Sequence, residues 1–327
     1  MIHCDGFREA VKQLVRDDPS RPIKRAYDST AASVSRGGYL RLNRRSIPEF
    51  RHIRTSVGRA KREELPRISR TLNDVDINGV WAQTWNNENF LVHSDNGWGV
   101  AIFATEENLR ALQRCRDMYI DGTFRTAPKP YYQYVSIHGT FHGRVIPLVS
   151  CLLAGKTVGH YRQIIRKLKT AVRFVTGHAL KPKRVVCDFE LAIKSAIETE
   201  LPRTTVCGCL FHFRQSLYRK LNELGLTGAY KQDGDFKAAI AKIMSIGFLP
   251  LHHVRNNFNL WATSQTLIRL ARQYPDLNRF VAYIYNTYIV GRFPPAMWNV
   301  YSRSAGTRTN NSVEGNRNSK CYPFPQH

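Results

Sequence analysis

The sequence predicts an α/β core interrupted by an all-helical insertion and preceded by a small helical domain. Three observations carry this. Residues 88–212 alternate strand-like and helix-like patterns, and an aspartate closes two of the strands. Residues 213–305 read as helical throughout, and three short amphipathic patterns occupy the first 75 residues. With 327 residues, 43% hydrophobic and 11% aromatic, the chain has material for one large packed domain or two smaller ones.

The first segment spans residues 1–75. Phe7, Ala10, Val11, Leu14 and Val15 fall at helical spacing, and the pattern stops before Pro19. A second helix is expected from Arg21-Pro22, since proline suits a first turn, and a third after Ser46-Ile47-Pro48. Residues 1–70 hold 17 Lys/Arg against 8 Asp/Glu. That charge on three helices fits either a DNA-binding module of the helix-turn-helix kind or a linker with solvated basic faces.

The core segment spans residues 80–212. Phe90–His93 and Trp98–Phe103 read as paired strands, and Glu106–Arg116 as a helix. Met118-Tyr119-Ile120 is an apolar strand ending in Asp121-Gly122-Thr123. Tyr131–His138 and Val145–Leu153 follow as strands joined by a turn around Gly139 and Gly143, and residues 160–176 carry a helical apolar stripe. A short strand, Arg184–Cys187, ends in Asp188-Phe189-Glu190. If the two aspartate-ended strands lie parallel and adjacent, Asp121 and Asp188 emerge at one sheet edge, where open α/β sheets hold their ligands. This is the strand order of the RNase H-like fold.

Helices are expected over Phe213–Leu224, Phe236–Ile246, Val254–Gln273 and Leu277–Val290 within residues 213–305. Residues 306–327 form a polar segment containing Glu314, then a proline-containing tail.

The net charge of +24 points to a polyanionic partner, nucleic acid ahead of a membrane surface. The longest apolar stretch, Val145–Gly155, has 11 residues and is too short to span a bilayer. No signal-peptide pattern opens the chain, and seven cysteines at low density fit free thiols in a reducing compartment.

Phosphodiester chemistry on DNA needs charge neutralisation and an in-line nucleophile, which two carboxylate-bridged divalent ions supply. Asp121 and Asp188, 67 residues apart, are the first two candidate ligands. Glu314 follows Asn310-Asn311-Ser312, all good N-cap residues, and would lie in a first helical turn. Strand-ending aspartates are also common turn residues, and a glutamate also favours a helix N-terminus, so spacing alone leaves both readings open.

The motifs go further. Asp121-Gly122-Thr123-Phe124 with Tyr132-Gln133-Tyr134 and His138-Gly139 resembles the first catalytic segment of Mutator-like element (MULE) transposases. Lys156-Thr157, Tyr161 and Asp188-Phe189-Glu190 with Ala192 resemble the second. Cys209-Leu210-Phe211-His212 is similar to the family's Cys-x-x-His segment, and Pro295, Trp298-Asn299, Arg308–Asn311 and Glu314-Gly315 to the third. The resemblance covers roughly residues 80–316. It implies an RNase H-like core with a DDE triad of Asp121, Asp188 and Glu314 holding two Mg²⁺ (or Mn²⁺) ions, with Cys209 and His212 shaping the site. It also implies cleavage and strand transfer at transposon terminal repeats, double-stranded DNA as partner, homo-oligomeric action and a nuclear location. The alternative is a domesticated or truncated copy that only binds DNA. Two departures from the family favour it: Gly315-Asn316-Arg317-Asn318-Ser319 leading to Pro323 and Pro325, and the lack of the N-terminal FLYWCH zinc finger of many animal relatives.

Cys207, Cys209 and His212 fall one ligand short of a structural zinc site, so zinc is not expected unless Cys187 joins them. Residues 160–184 hold eight Lys/Arg and no acid. Arg162, Arg166, Lys167, Lys169, Arg173, Lys183 and Arg184 are therefore candidates for a phosphate track. Trp261 and Trp298 read as core residues, with base stacking as the other possibility.

Overall fold

The computed structural model describes residues 2–19, 21–35, 47–64, 70–123, 127–141 and 144–303. Glu314 and its flanking motif lie outside the described residues. The chain divides into two compact units at residues 69–70.

The smaller unit contains α1 (Ile2–Asp17), α2 (Ile23–Ser35) and α3 (Phe50–Glu63). Phe7, Val11 and Val15 recur every fourth residue on α1 and meet Ala26 and Val34 of α2 and Ile53 and Val57 of α3 in one apolar cluster. The Tyr27 ring packs edge-on against Phe7 and Phe50, and its hydroxyl donates to the Pro48 carbonyl at 2.9 Å. These contacts turn Arg51, Arg54, Thr55, Arg59 and Arg62 of α3 outward.

The larger unit is built on β1 (Leu91–Asp95), β2 (Val100–Phe103), α4 (Glu106–Arg114), β3 (Asp117–Thr123), β4 (Gln133–Phe141) and β5 (Arg144–Leu153). Then come α5 (Val158–Thr176), β6 (Arg184–Cys187), α6 (Leu191–Glu200) and β7 (Thr205–Gly208). The seven strands form one sheet in the order β1-β2-β5-β4-β3-β6-β7. The first five are antiparallel neighbours, whereas β3, β6 and β7 run parallel. Alternation divides the side chains. Met118 and Ile120 of β3, Val135 and Ile137 of β4, Val149 and Cys151 of β5, and Val185 of β6 share a core with α4, α5 and α6. Asp117, Tyr119 and Asp121 point to the opposite face.

Two ion-pair clusters pin this arrangement. Arg184 of β6 donates from Nε and Nη2 to both carboxylate oxygens of buried Asp117, at 2.7 and 2.8 Å. On the helix layer, Glu200 of α6 accepts from Arg162 Nε and Arg166 Nε of α5, each at 2.8 Å. Lys169 Nζ donates to the Glu200 backbone carbonyl at 2.8 Å. Four of the seven cations read as a phosphate track thus hold ion pairs with Glu200 or Asp117.

The helical segment comprises α7 (Leu210–Glu223), α8 (Thr227–Gln232), α9 (Gly234–Ser245), α10 (Leu251–Ala262), α11 (Gln265–Gln273) and α12 (Asp276–Ile284). A π turn (Tyr285–Ile289) and α13 (Pro295–Trp298) close it. Trp298 is fully buried, and Trp261 is buried with its indole N–H donating to the Ala239 carbonyl at 2.9 Å, so both tryptophans are core residues.

Several local expectations are corrected. β7 is absent from the strands read in the sequence, because Thr205-Val206-Cys207-Gly208 lacks the continuous apolar run that marks β6. β3 continues through Asp121 to Thr123, so Asp121 is a paired strand residue opposite Ser136, not a turn residue. Gly139 likewise lies inside β4. The helix expected over Val254–Gln273 is two, because the Ser264 hydroxyl accepts from the Leu267 amide at 3.3 Å and restarts the backbone as an N-cap. Among the described residues no helix is long and apolar enough to cross a membrane.

Burial alone would raise the Glu200 pKa, but the hydrogen bonds from Arg162 and Arg166 outweigh it and hold the carboxyl below its ordinary 4.5. The resulting stabilisation is fully present above pH 4.5 and is lost as the pH falls through the lower folded-state value. Glu200→Gln is expected to cost about 1–3 kcal/mol at pH 7. In denaturant melts the gap from wild type should close as the pH drops below 4.5. An unchanged midpoint at pH 7 would reduce the cluster to a surface pair.

Candidate active site

The register of the parallel pair β3–β6 decides what faces what. Asp117 lies opposite Arg184, Met118 opposite Val185 and Tyr119 opposite Val186. Continued by two residues, the same register sets Asp121 beside Asp188, on the face that also carries Tyr119 and Val186. Asp121 is 1% exposed, while the Asp188 side chain, just past the end of β6, is 35% exposed. The two carboxylates, one buried and one partly exposed, lie at the carboxyl end of parallel strands, where open α/β sheets hold their ligands.

The next parallel strand brings the third group. β7 ends at Gly208, Cys209 caps α7 with extended backbone, and the Cys209 amide donates to the Cys187 carbonyl at 3.1 Å. This connection places His212 in the first turn of α7, where its Nδ1 lies 2.5 Å from Asp188 Oδ1. One oxygen each from Asp121 and Asp188 and one ring nitrogen of His212 lie within 4.8 Å of one another. Among the described residues this is the group whose donor atoms could share a metal ion.

Burial disfavours a charged His212 imidazole. The Asp188 carboxylate and then the Cys209 sulfur outweigh that burial and push the pKa up to about 10. The stabilisation from this pair is fully present below pH 6.5 and is lost as the pH rises through about 10. The placement beside Asp188 thus favours the protonated ring, whose charge opposes that of the adjoining carboxylate.

Around this centre the sheet face is polar. Ser136, opposite Asp121, donates to the Asp121 carbonyl at 3.4 Å and lies 2.9 Å from His138 Nε2. On the other flank Tyr161 of α5 reaches Gln133 Oε1 at 3.1 Å and Glu190 Oε2 at 3.3 Å. Burial raises the Glu190 pKa against the opposing pull of Lys156 and Tyr161. Gln133 in turn presses on Gly122, where a Cβ would come within 2.0 Å of its amide nitrogen. One chain of contacts thus runs from the neighbour of Asp121 to the second residue after Asp188.

The structure brings together Asp121, Asp188, Cys209 and His212. Of the basic residues, Arg162, Arg166 and Lys169 face Glu200 and Arg184 faces Asp117, whereas Lys167, Arg173 and Lys183 make no ion pair among the described residues. The ligand-distance approach of His212 to Asp188 goes beyond the sequence reading. Its signal is a Cys-x-x-His run directly after a short strand, which puts the histidine on the first turn of the following helix.

Residues 118–216, from β3 into α7, match the model of the MULE transposase domain. The chain carries a MULE transposase domain. None of the curated proteins compared with it matches the chain. The MULE domain contains both aspartates, Cys209 and His212, so the clustered side chains all come from the matched segment.

The pairing of His212 with Asp188 gives a direct test. In a metal-free NMR titration the His212 ring should remain protonated through pH 8. In Asp188→Asn, with the counter-charge gone, its pKa should fall toward the ordinary 6.5 or below it. A wild-type ring that is neutral at pH 8 would refute the ion pair.

Proposed function

We propose that this chain is a MULE-type DDE transposase, with an RNase H-like core that cleaves DNA strands at transposon ends and transfers them. The observation that carries the reading is the side-by-side placement of Asp121 and Asp188 at the ends of parallel β3 and β6, inside the segment that matches the transposase domain. The order β5-β4-β3-β6-β7, with β3, β6 and β7 parallel, supports the RNase H-like assignment.

The donor set fits divalent cations: two carboxylates suit Mg²⁺ or Mn²⁺, and an imidazole within the same radius suits Mn²⁺ as well. Asp121 and Asp188 would hold the metal, and Glu314 is proposed as the third carboxylate. Bound there, two such ions would activate the attacking oxygen and stabilise the leaving one. Asp121, paired within β3, supplies the rigid side of the site, and Asp188 supplies the accessible side. His212 orients Asp188 and offsets its charge until cation and phosphate arrive. Cys209 fixes the turn that delivers His212.

DNA is the proposed partner, as terminal repeat and as target. Lys167, Arg173 and Lys183 on the large unit and the outward Arg54, Arg59 and Arg62 of α3 on the small one are the cations proposed to meet phosphate. Homo-oligomeric action on two transposon ends and a nuclear location accompany this reading. The alternative, a DNA-binding derivative without catalysis, draws on the helix-breaking run that follows Glu314.

The deciding experiment is Mg²⁺- and Mn²⁺-dependent cleavage of a labelled terminal-repeat duplex, with binding measured on the same samples. Asp188→Asn should abolish cleavage and leave duplex affinity largely intact, and cleavage at full rate by this variant would sink the mechanism. Binding without cleavage in both proteins would favour the alternative. An RNA–DNA hybrid cut in preference to the duplex would instead indicate an RNA-processing nuclease.

A separate prediction concerns α3. Arg54→Glu with Arg62→Glu should weaken duplex binding and flatten the dependence of log K on log salt by about two units. An unchanged salt slope would remove α3 from the interface.

A further inference from the structure

We propose that Phe189 is a positioning residue through which the helical segment sets the geometry of Asp188. The inference rests on the reading of Asp188 as a metal-holding carboxylate.

Asp188 comes directly after the last residue of β6, so no strand pairing fixes its backbone. Its anchor is the next residue. The Phe189 ring is gripped by three aromatic rings of the helical segment: Phe213 of α7 at 6.3 Å, Tyr288 of the π turn at 5.4 Å and Phe293 at 5.3 Å between centroids. The contacts of Tyr288 and Phe293 are edge-to-face, a geometry that resists rotation as well as withdrawal.

The cage is itself locked. Trp298 stacks on Phe213 at 4.5 Å and donates its indole N–H to the carbonyls of Tyr288 and Phe293 at 3.1 and 3.0 Å. The Tyr288 hydroxyl lies 2.6 Å from the Ser216 hydroxyl on α7. The π turn that delivers Tyr288 is a rare backbone form, found frequently at functional sites.

Gly208, the last residue of β7, closes a further side of the ring, which stays partly exposed. A Cβ there would stand 2.4 Å from Phe189 Cζ and 2.7 Å from Cε1. The Gly208 backbone lies outside the left-handed region, so alanine is excluded by space alone. With three rings on the side away from Gly208, Phe189 has little room to yield to an added methyl, and its displacement passes along the backbone to Asp188.

The test uses the full-length chain and Mn²⁺ alone, its binding followed by electron paramagnetic resonance of the free ion, with Asp188→Asn as the reference for lost binding. Phe189→Leu, Gly208→Ala and Phe293→Leu should each weaken Mn²⁺ binding about tenfold, while thermal melts show a folded protein at the assay temperature. Phe189→Leu with Gly208→Ala should bind no worse than Phe189→Leu alone, because without the ring the added methyl has nothing to displace. A purely structural role would lower the melting temperature and leave Mn²⁺ affinity unchanged. Wild-type affinity in both Phe189→Leu and Phe293→Leu overturns the proposal even if Gly208→Ala fails to fold. Equal binding by wild type and Asp188→Asn overturns the metal reading itself, and the inference with it.

Discussion

The bidentate pair between Asp117 and Arg184 is the contact on which the placement of the site depends. Parallel strands carry no turn to fix their register, and a slip of one residue would send every side chain of β6 to the wrong face. A guanidinium that meets both oxygens of a buried carboxylate leaves one alignment in which both of these hydrogen bonds form. That alignment brings Asp121 level with Asp188, whose setting the residues after β6 then complete. Arg184 therefore contributes to the site from four residues away.

The site then has to tolerate its own charge. Two carboxylates at neighbouring strand ends repel, and burial of Asp121 sharpens the cost. His212 offsets part of it as a cation wedged against Asp188. The surrounding contacts limit movement: Gln133 and Tyr161 brace one flank, and the aromatic cage holds Phe189 on the other. Arg303, at the end of the helical segment, donates to the Gly208 and Met297 carbonyls and ties that segment to the same edge. The helical segment is thus part of the construction of the site as well as an insertion into the chain.

Much of this is legible in the sequence. The apolar periodicity of α1, α3, α5 and α12, and the strand character around Met118 and Val185, come from local pattern, since burial on one face leaves its period in the chain. The aspartates are legible through the motifs Asp121-Gly122-Thr123-Phe124 and Asp188-Phe189-Glu190 that resemble the family's segments, since a strand-ending aspartate by itself also reads as a turn residue. The roles of the basic residues are not. Arg162, Arg166 and Lys169 read as part of a phosphate track, and their pairing with Glu200 is invisible in the sequence because that residue is 31 or more positions away on another helix. Trp298 and Phe213 likewise meet only when α7 and α13 pack.

The sequence by itself determined the kinds of element, the excess of positive charge and the motif set that resembles the MULE family, because each is a property of neighbouring residues or of composition. Only the tertiary structure decided that β3 and β6 pair in parallel, that His212 stands at ligand distance from Asp188, and that Phe189 is held by residues about 100 positions further along the chain. Strand register and ring packing are set by contacts between segments distant in the chain, and no local window contains them.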